Sequence, residues 1–236
     1  MALTQTGMAE SRAQAQALIL AGRVRVAGET VRRPDRPVRS EDAVEVVAPP
    51  PFVSRGGEKL APALDAFGVD PAGRVCADIG ASTGGFTDVL LQRGAARVYA
   101  LDVGRGLLHW RLRQDARVVV MERVNARDIE AFPEPVSLIT VDVSFIGLEK
   151  VLPALRRAAP GAELVVLFKP QFQVGRKEVG KGGVVRDADA VARALERFRE
   201  WCAQHGFAVG GEVRSALPGA DGNQEYLLHL TSGSER

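Results

Sequence analysis

The stretch Cys76-Ala77-Asp78-Ile79-Gly80-Ala81-Ser82-Thr83-Gly84-Gly85-Phe86-Thr87 decides how this chain folds. An apolar run from Val75 to Ile79 carries a carboxylate near its end, and a glycine-rich turn then leads into a helix. Glycine permits positive φ and close approach of the backbone to a ligand, and a helix start offers N–H groups that have no partner within the helix. The spacing D-x-G-x-x-x-G-G differs from the G-x-G-x-x-G of dinucleotide sites. It suits a nucleoside with an amino-acid tail better than a pyrophosphate. A second carboxylate, Asp102, closes the next apolar run, Val98 to Leu101. That is where a doubly wound sheet holds ribose hydroxyls.

Outward from this turn, strand-like and helix-like runs alternate, the pattern of a parallel sheet with helices on both faces. Strands are expected at about 75–79, 97–101, 117–121, 136–142, 163–168, 207–214 and 225–230, and helices near 57–67, 85–93, 105–113, 147–157 and 187–204. The fold class is α/β: a Rossmann-like, seven-stranded sheet resembling the class I methyltransferases, preceded by a small α+β domain. The long irregular stretch Pro170 to Val185 is rich in glycine and lysine, and loops of that length inside a compact domain are usually functional.

The composition, 236 residues with 46% hydrophobic and 25% charged, supports one sizeable core plus a small appendage. A net charge of +2 means that any nucleic-acid binding must come from local patches. Arginines outnumber the five lysines (59, 150, 169, 177, 181) heavily. Cys76 and Cys202 lie far apart and read as buried free thiols of a reducing compartment. His109, His205 and His229 have no metal-ligand spacing, and no metal site is expected. No apolar run approaches the ~18 residues of a membrane span. With no signal peptide in view, the chain reads as cytoplasmic and not membrane-bound.

Residues 1–47 differ from the rest. Ser11 caps a helical run to Ala21, Gly22 ends it, and Val24 to Val31 reads as a hairpin turning at Ala27-Gly28-Glu29. Seven arginines (12, 23, 25, 32, 33, 36, 39) face two acids, Glu29 and Asp35, a basic surface suited to phosphates. From Ser11 to Ala15 and Leu18 to Gly28 the segment resembles the ribosomal-protein S-four-type RNA-binding domain. Met1 to Thr6 does not match the first helix of such domains, so the module is expected to be shortened at its start. Residues 48–53, opening Ala48-Pro49-Pro50-Pro51, read as a linker, and 54–236 as the larger domain.

In a methyltransferase of this type the cofactor is S-adenosyl-L-methionine. Asp78 would either lie near its methionine tail or organise the turn. Gly80, Ala81, Ser82, Gly84, Gly85 and Phe86 would pass under it. Asp102, with Val103 beside it, would hold the ribose, and Asn125, after the third strand, would reach the adenine or serve as an ordinary loop residue. Asp142 ends the fourth strand and Lys169 the fifth, so both project at the carboxyl edge of the sheet. They would bracket a reacting hydroxyl or form a structural ion pair.

Several long motifs occur in order: Val53 to Leu60, Asp78 to Thr87, Glu122 to Arg127, Val141 to Ile146, Phe168 to Gln173, Gly180 to Asp187 and Gly222 to Leu230. Together they resemble the TlyA family, bacterial proteins that join an S-four-type domain to an FtsJ-like ribose methyltransferase and also carry the label hemolysin A. The resemblance implies 2′-O-methylation of ribosomal RNA at cytidine, with ribosomal RNA or subunits as partner. It carries the Lys-Asp-Lys-Glu tetrad of FtsJ-like enzymes onto Lys59, Asp142, Lys169 and Glu225, with Asp142 also beside the cofactor. RNA contacts are expected from Arg12, Arg23, Arg25, Arg55, Lys177 and Lys181, the last two on a loop that would close over RNA. Trp110 would stack on a base or belong to the core or rim. The competing readings are a non-catalytic RNA-binding assembly factor, a membrane-active haemolysin, and a methyltransferase for small molecules or proteins.

Overall fold

The computed structural model describes residues 2–232. Two compact units divide between Pro50 and Pro51. In the first, helices α1 (Ala2–Gln5) and α2 (Arg12–Leu20) accompany strands β1 (Val24–Val26), β2 (Glu29–Val31) and β3 (Val44–Val46). The Ser11 hydroxyl accepts from Gln14 N–H and starts α2. The β1–β2 hairpin turns through Ala27 and Gly28, both at positive φ (50° and 81°), the backbone that a tight two-residue turn requires. Val24, Val26 and Val31 close a small core with Leu3, Ala9 and Ala15. Strand β3 pairs antiparallel with β1. Neither it nor α1 was expected, because three and four residues are too few to show a period.

The second unit runs α3 (Arg55–Phe67), β4 (Val75–Ile79), α4 (Gly85–Gln92), β5 (Arg97–Asp102), α5 (Trp110–Arg113), β6 (Val118–Glu122), β7 (Leu138–Val141), α6 (Leu152–Ala158), β8 (Glu163–Phe168), α7 (Ala188–Gln204), β9 (Phe207–Arg214) and β10 (Tyr226–Ser232). Its seven strands lie in the order β6-β5-β4-β7-β8-β10-β9. The first five are parallel, and β10 inserts antiparallel between β8 and β9. Leu60 and Leu64 of α3 with Val89 and Leu90 of α4 bury one face. Leu152 and Leu155 of α6 with Ala194 and Phe198 of α7 bury the other. The order of connection reverses between β4 and β7, so a crevice opens at their carboxyl ends.

Two expected helices differ. Of 105–113 only Trp110–Arg113 is helical, because the preceding run holds Gly104 and a Gly106 at φ 73°. The 147–157 helix is broken into a 3-10 turn, Leu148–Lys150, and α6; Pro153 lacks the N–H that would continue it. The strand expected at 136–142 is shorter, and Asp142 and Glu225 stand just outside β7 and β10. The 170–185 stretch forms three short 3-10 turns. Buried Asn223 pins its end, donating to Gly183 C=O and accepting from Val185 N–H, both at 2.9 Å. Cys76 and Cys202 are free and buried, and burial pushes both thiols up to about 12.

Candidate active site

The glycine turn is held by its two carboxylates. Asp78 has no exposed surface. One oxygen accepts from Thr87 N–H (2.8 Å) and Thr87 Oγ1 (2.7 Å), the other from Thr140 Oγ1 (3.1 Å). Burial raises its pKa to about 7, against the opposing pull of the two threonine hydroxyls. Of the two positions expected for Asp78, the structure therefore has the turn organiser, fastening α4 to β4. Asp102 accepts from Ser82 N–H (2.8 Å) and Gly104 N–H (2.7 Å), tying the turn to the end of β5. Each oxygen keeps a lone pair for a further donor.

The glycines serve different ends. Gly80 sits at φ 80°, and a Cβ there would come within 2.3 Å of the Asp142 carbonyl oxygen. This close approach sets β4 against the end of β7. At Gly84 (φ 96°) a Cβ would meet Leu112 Cδ1 at 2.2 Å. The residue is buried, with Leu108 and Leu112 packed over its Cα. At Gly85 a Cβ would meet Ser54 Oγ at 2.3 Å and Gly57 N at 2.9 Å. The starts of α3 and α4 thus touch backbone to backbone, which carries Lys59 to the crevice. Phe86 is almost wholly buried in the core under this contact.

At the rim two ion pairs stand on neighbouring strand ends. Lys59 Nζ lies 2.5 Å from Glu225 Oε2, with the Glu225 side chain 3% exposed. Lys169 Nζ lies 2.5 Å from Asp142 Oδ1 and donates to Ser144 Oγ at 2.8 Å. The Asp142 contact is off the hydrogen-bonding direction, so buried Oδ1 has no aligned donor. Tyr226 pairs with Phe168 across β10 and β8, which makes Glu225 and Lys169 the next residues along the two strands. The topology therefore brings together all four residues of the expected tetrad.

Two clefts flank them and share Gly80, Ser82 and Asp142. The larger, about 450 Å³, has apolar walls from Val103, Leu107, Val124 and Ile146, with Asp102 and Asn125 as polar groups. Asn125 Oδ1 already accepts from Arg127 N–H, leaving its amide N–H donors available. Ala81, Ser82, Lys59 and Arg55 line the smaller cleft. Ser144 and Phe145 were missed as site residues although they lie two and three positions after Asp142. Phe145 is 91% exposed at φ 64° and packs on Phe172 (ring centroids 5.2 Å). An exposed aromatic at positive φ is strained, and nothing in the sequence marks it.

The other expected RNA contacts are spread over both units. Arg12 and Arg25 are exposed, whereas Arg23 donates to the Val47 carbonyl. Arg33 and Arg36 pair with Asp35 and Glu29. Arg55 donates to the Pro218 carbonyl, and Lys177 and Lys181 are exposed on their loop. Among the described residues, no cluster of histidine, cysteine or carboxylate groups could hold a metal, and no helix is long and apolar enough to cross a membrane.

Sheet order, switch-point crevice and glycine turn define a class I methyltransferase. Residues 52–232 match the profile of the FtsJ-like methyltransferases, and residues 1–44 that of the S4 domain. The chain is 48% identical to the Mycobacterium tuberculosis 16S/23S rRNA (cytidine-2′-O)-methyltransferase TlyA, over 99% of this chain and 89% of that protein. It is 44% identical to Hemolysin A of Brachyspira hyodysenteriae, over 95% of each. A solved structure from Streptococcus thermophilus, provisionally named a hemolysin, superposes with a TM-score of 0.78 at 40% identity, covering 99% of this chain and 87% of that one. The chain belongs to the TlyA family of FtsJ-like methyltransferases.

Proposed function

We propose that this chain transfers a methyl group from S-adenosyl-L-methionine to the 2′-hydroxyl of a cytidine in ribosomal RNA. The observation that carries this reading is the pair of ion pairs, Lys59–Glu225 and Lys169–Asp142, at the mouth of the nucleoside-sized cleft. Apolar walls from Val103, Leu107 and Ile146 suit an adenine, and the free lone pairs of Asp102 suit ribose hydroxyls. Asp142, shared by both clefts and held against Lys169, joins the cofactor cleft to the tetrad. The residues present therefore fit this cofactor, which when bound supplies an electrophilic methyl on a sulfonium centre.

A ribose hydroxyl is a weak nucleophile, and holding it in line contributes much of the acceleration. Lys169, held as a cation by Asp142 and Ser144, stabilises the developing alkoxide. Lys59, fixed by Glu225, adds a second cation at the same rim. Reaction between a cation and an oxyanion neutralises both, so the half-buried site favours it. Phe145, held out at the rim, stacks on a base. Arg12, Arg25, Arg55, Lys177 and Lys181 take phosphates, binding that weakens with salt. Such a substrate places the protein in the cytoplasm.

The test is tritiated methyl transfer to small and large ribosomal subunits lacking these marks, with Lys169→Ala alongside. Alkali-resistant label at one ribose, lost in the variant, is the expected result. A wild type that binds the cofactor but labels neither subunit overturns the substrate.

A further inference from the structure

Among the described residues of the second unit, the exposed large apolar side chains are Val103, Leu107, Trp110 and Phe145. Val103, Leu107 and Phe145 line the larger cleft, the first two assigned above to the cofactor and Phe145 to the target base. Trp110 lines neither cleft, yet its indole is 62% exposed. Its footing is rigid. His109 N–H donates to the Thr83 carbonyl at 3.1 Å, and Thr83 lines the smaller cleft. Leu108 and Leu112 fill the space over Gly84. Arg113 is held by the Leu108 carbonyl and by Glu122. Arg105 and Arg111 beside it are exposed, and neither forms an ion pair among the described residues.

An aromatic face on a fixed base, with exposed guanidinium groups in the same segment, is how single-stranded RNA is gripped: a base stacks while cations take its phosphates. We infer that Trp110 stacks on an unpaired nucleotide next to the one methylated, with Arg105 and Arg111 on its backbone. This rests on the RNA substrate proposed above and adds a second base contact, on the segment anchored to Thr83 at the smaller cleft.

The experiment compares wild type, Trp110→Ala and Trp110→Phe for KM and kcat on ribosomal subunits and for cofactor affinity by calorimetry. A second arm follows tryptophan fluorescence of wild type and Trp110→Phe as protein-free ribosomal RNA fragment is added. Loss of one base–aromatic stack raises KM roughly 5- to 100-fold. The expected result is that rise in Trp110→Ala with kcat and cofactor affinity unchanged, near-normal KM in Trp110→Phe, and RNA quenching lost in Trp110→Phe. An unchanged KM in Trp110→Ala overturns the inference, as does quenching by the cofactor alone. If wild type methylates neither subunit, the functional reading fails separately. The fluorescence arm still decides: RNA quenching that depends on Trp110 upholds the contact, and its absence overturns it.

Discussion

Glu225 Oε2 lies 2.5 Å from Lys59 Nζ, joining residues 166 positions apart in the chain. Glu225 is nearly without solvent, so removing one partner strands a buried charge, at a cost on the order of 3 kcal/mol. Lys59→Ala is therefore expected to lower both stability and methyl transfer. Lys59→Met with Glu225→Gln is expected to recover stability without activity. Urea unfolding beside a transfer assay reads both.

Gly80→Ala puts a Cβ against the Asp142 carbonyl in a backbone conformation that alanine resists. A shift of about 1 Å at the reacting groups costs roughly 100-fold in rate. The expected outcome is a fall of that order in kcat from a protein that still folds, checked by circular dichroism and single-turnover transfer.

Asp78 gives the fold a pH dependence. Its carboxyl, at 3.8 when unfolded, is raised to about 7 by burial, so the folded state binds the extra proton between those values. Stability contributed by this group is full below 3.8, declines as pH rises toward 7, and is lost above it. Asp78→Asn is expected to remove a slope worth a few kcal/mol over that window. Denaturation midpoints measured across pH 5 to 8 test this.

Phe145 is held at positive φ and almost fully exposed. Phe145→Gly is expected to stabilise the protein by about 1 kcal/mol through released strain, while lowering kcat/KM on RNA about tenfold. Equal Tm values for variant and wild type would count against stored strain.

Asn223 is the clasp of the 170–185 loop. Asn223→Ala leaves two half-buried backbone groups without their partner, at a cost on the order of 1 kcal/mol each. Trypsin is expected to cut at Lys177 and Lys181 several-fold faster in this variant, read by mass spectrometry.

Much of this architecture is written in local pattern. The apolar runs that carry Asp78 and Asp102 announce their strands because four consecutive buried residues in each leave few alternatives. Placing Lys59, Asp142, Lys169 and Glu225 at one rim required the family resemblance, since their proximity comes from strand order and no local spacing reveals that. What stayed hidden depends on tertiary contact. That Gly84 also makes room for Leu108 and Leu112 shows only in the fold. The helix expected over 105–113 is interrupted by Gly106, and the exposure of Phe145 follows from a φ that no local pattern reveals.

The position of β10 also orders events during synthesis. Among the described strands it is made last, yet it lies between β8 and β9, and Glu225 immediately precedes it. Lys59 must therefore wait for a partner 166 positions further along the chain. A nascent chain that has not reached Glu225 carries an unfinished rim, so the proposed activity is withheld until the sheet receives its inserted antiparallel strand.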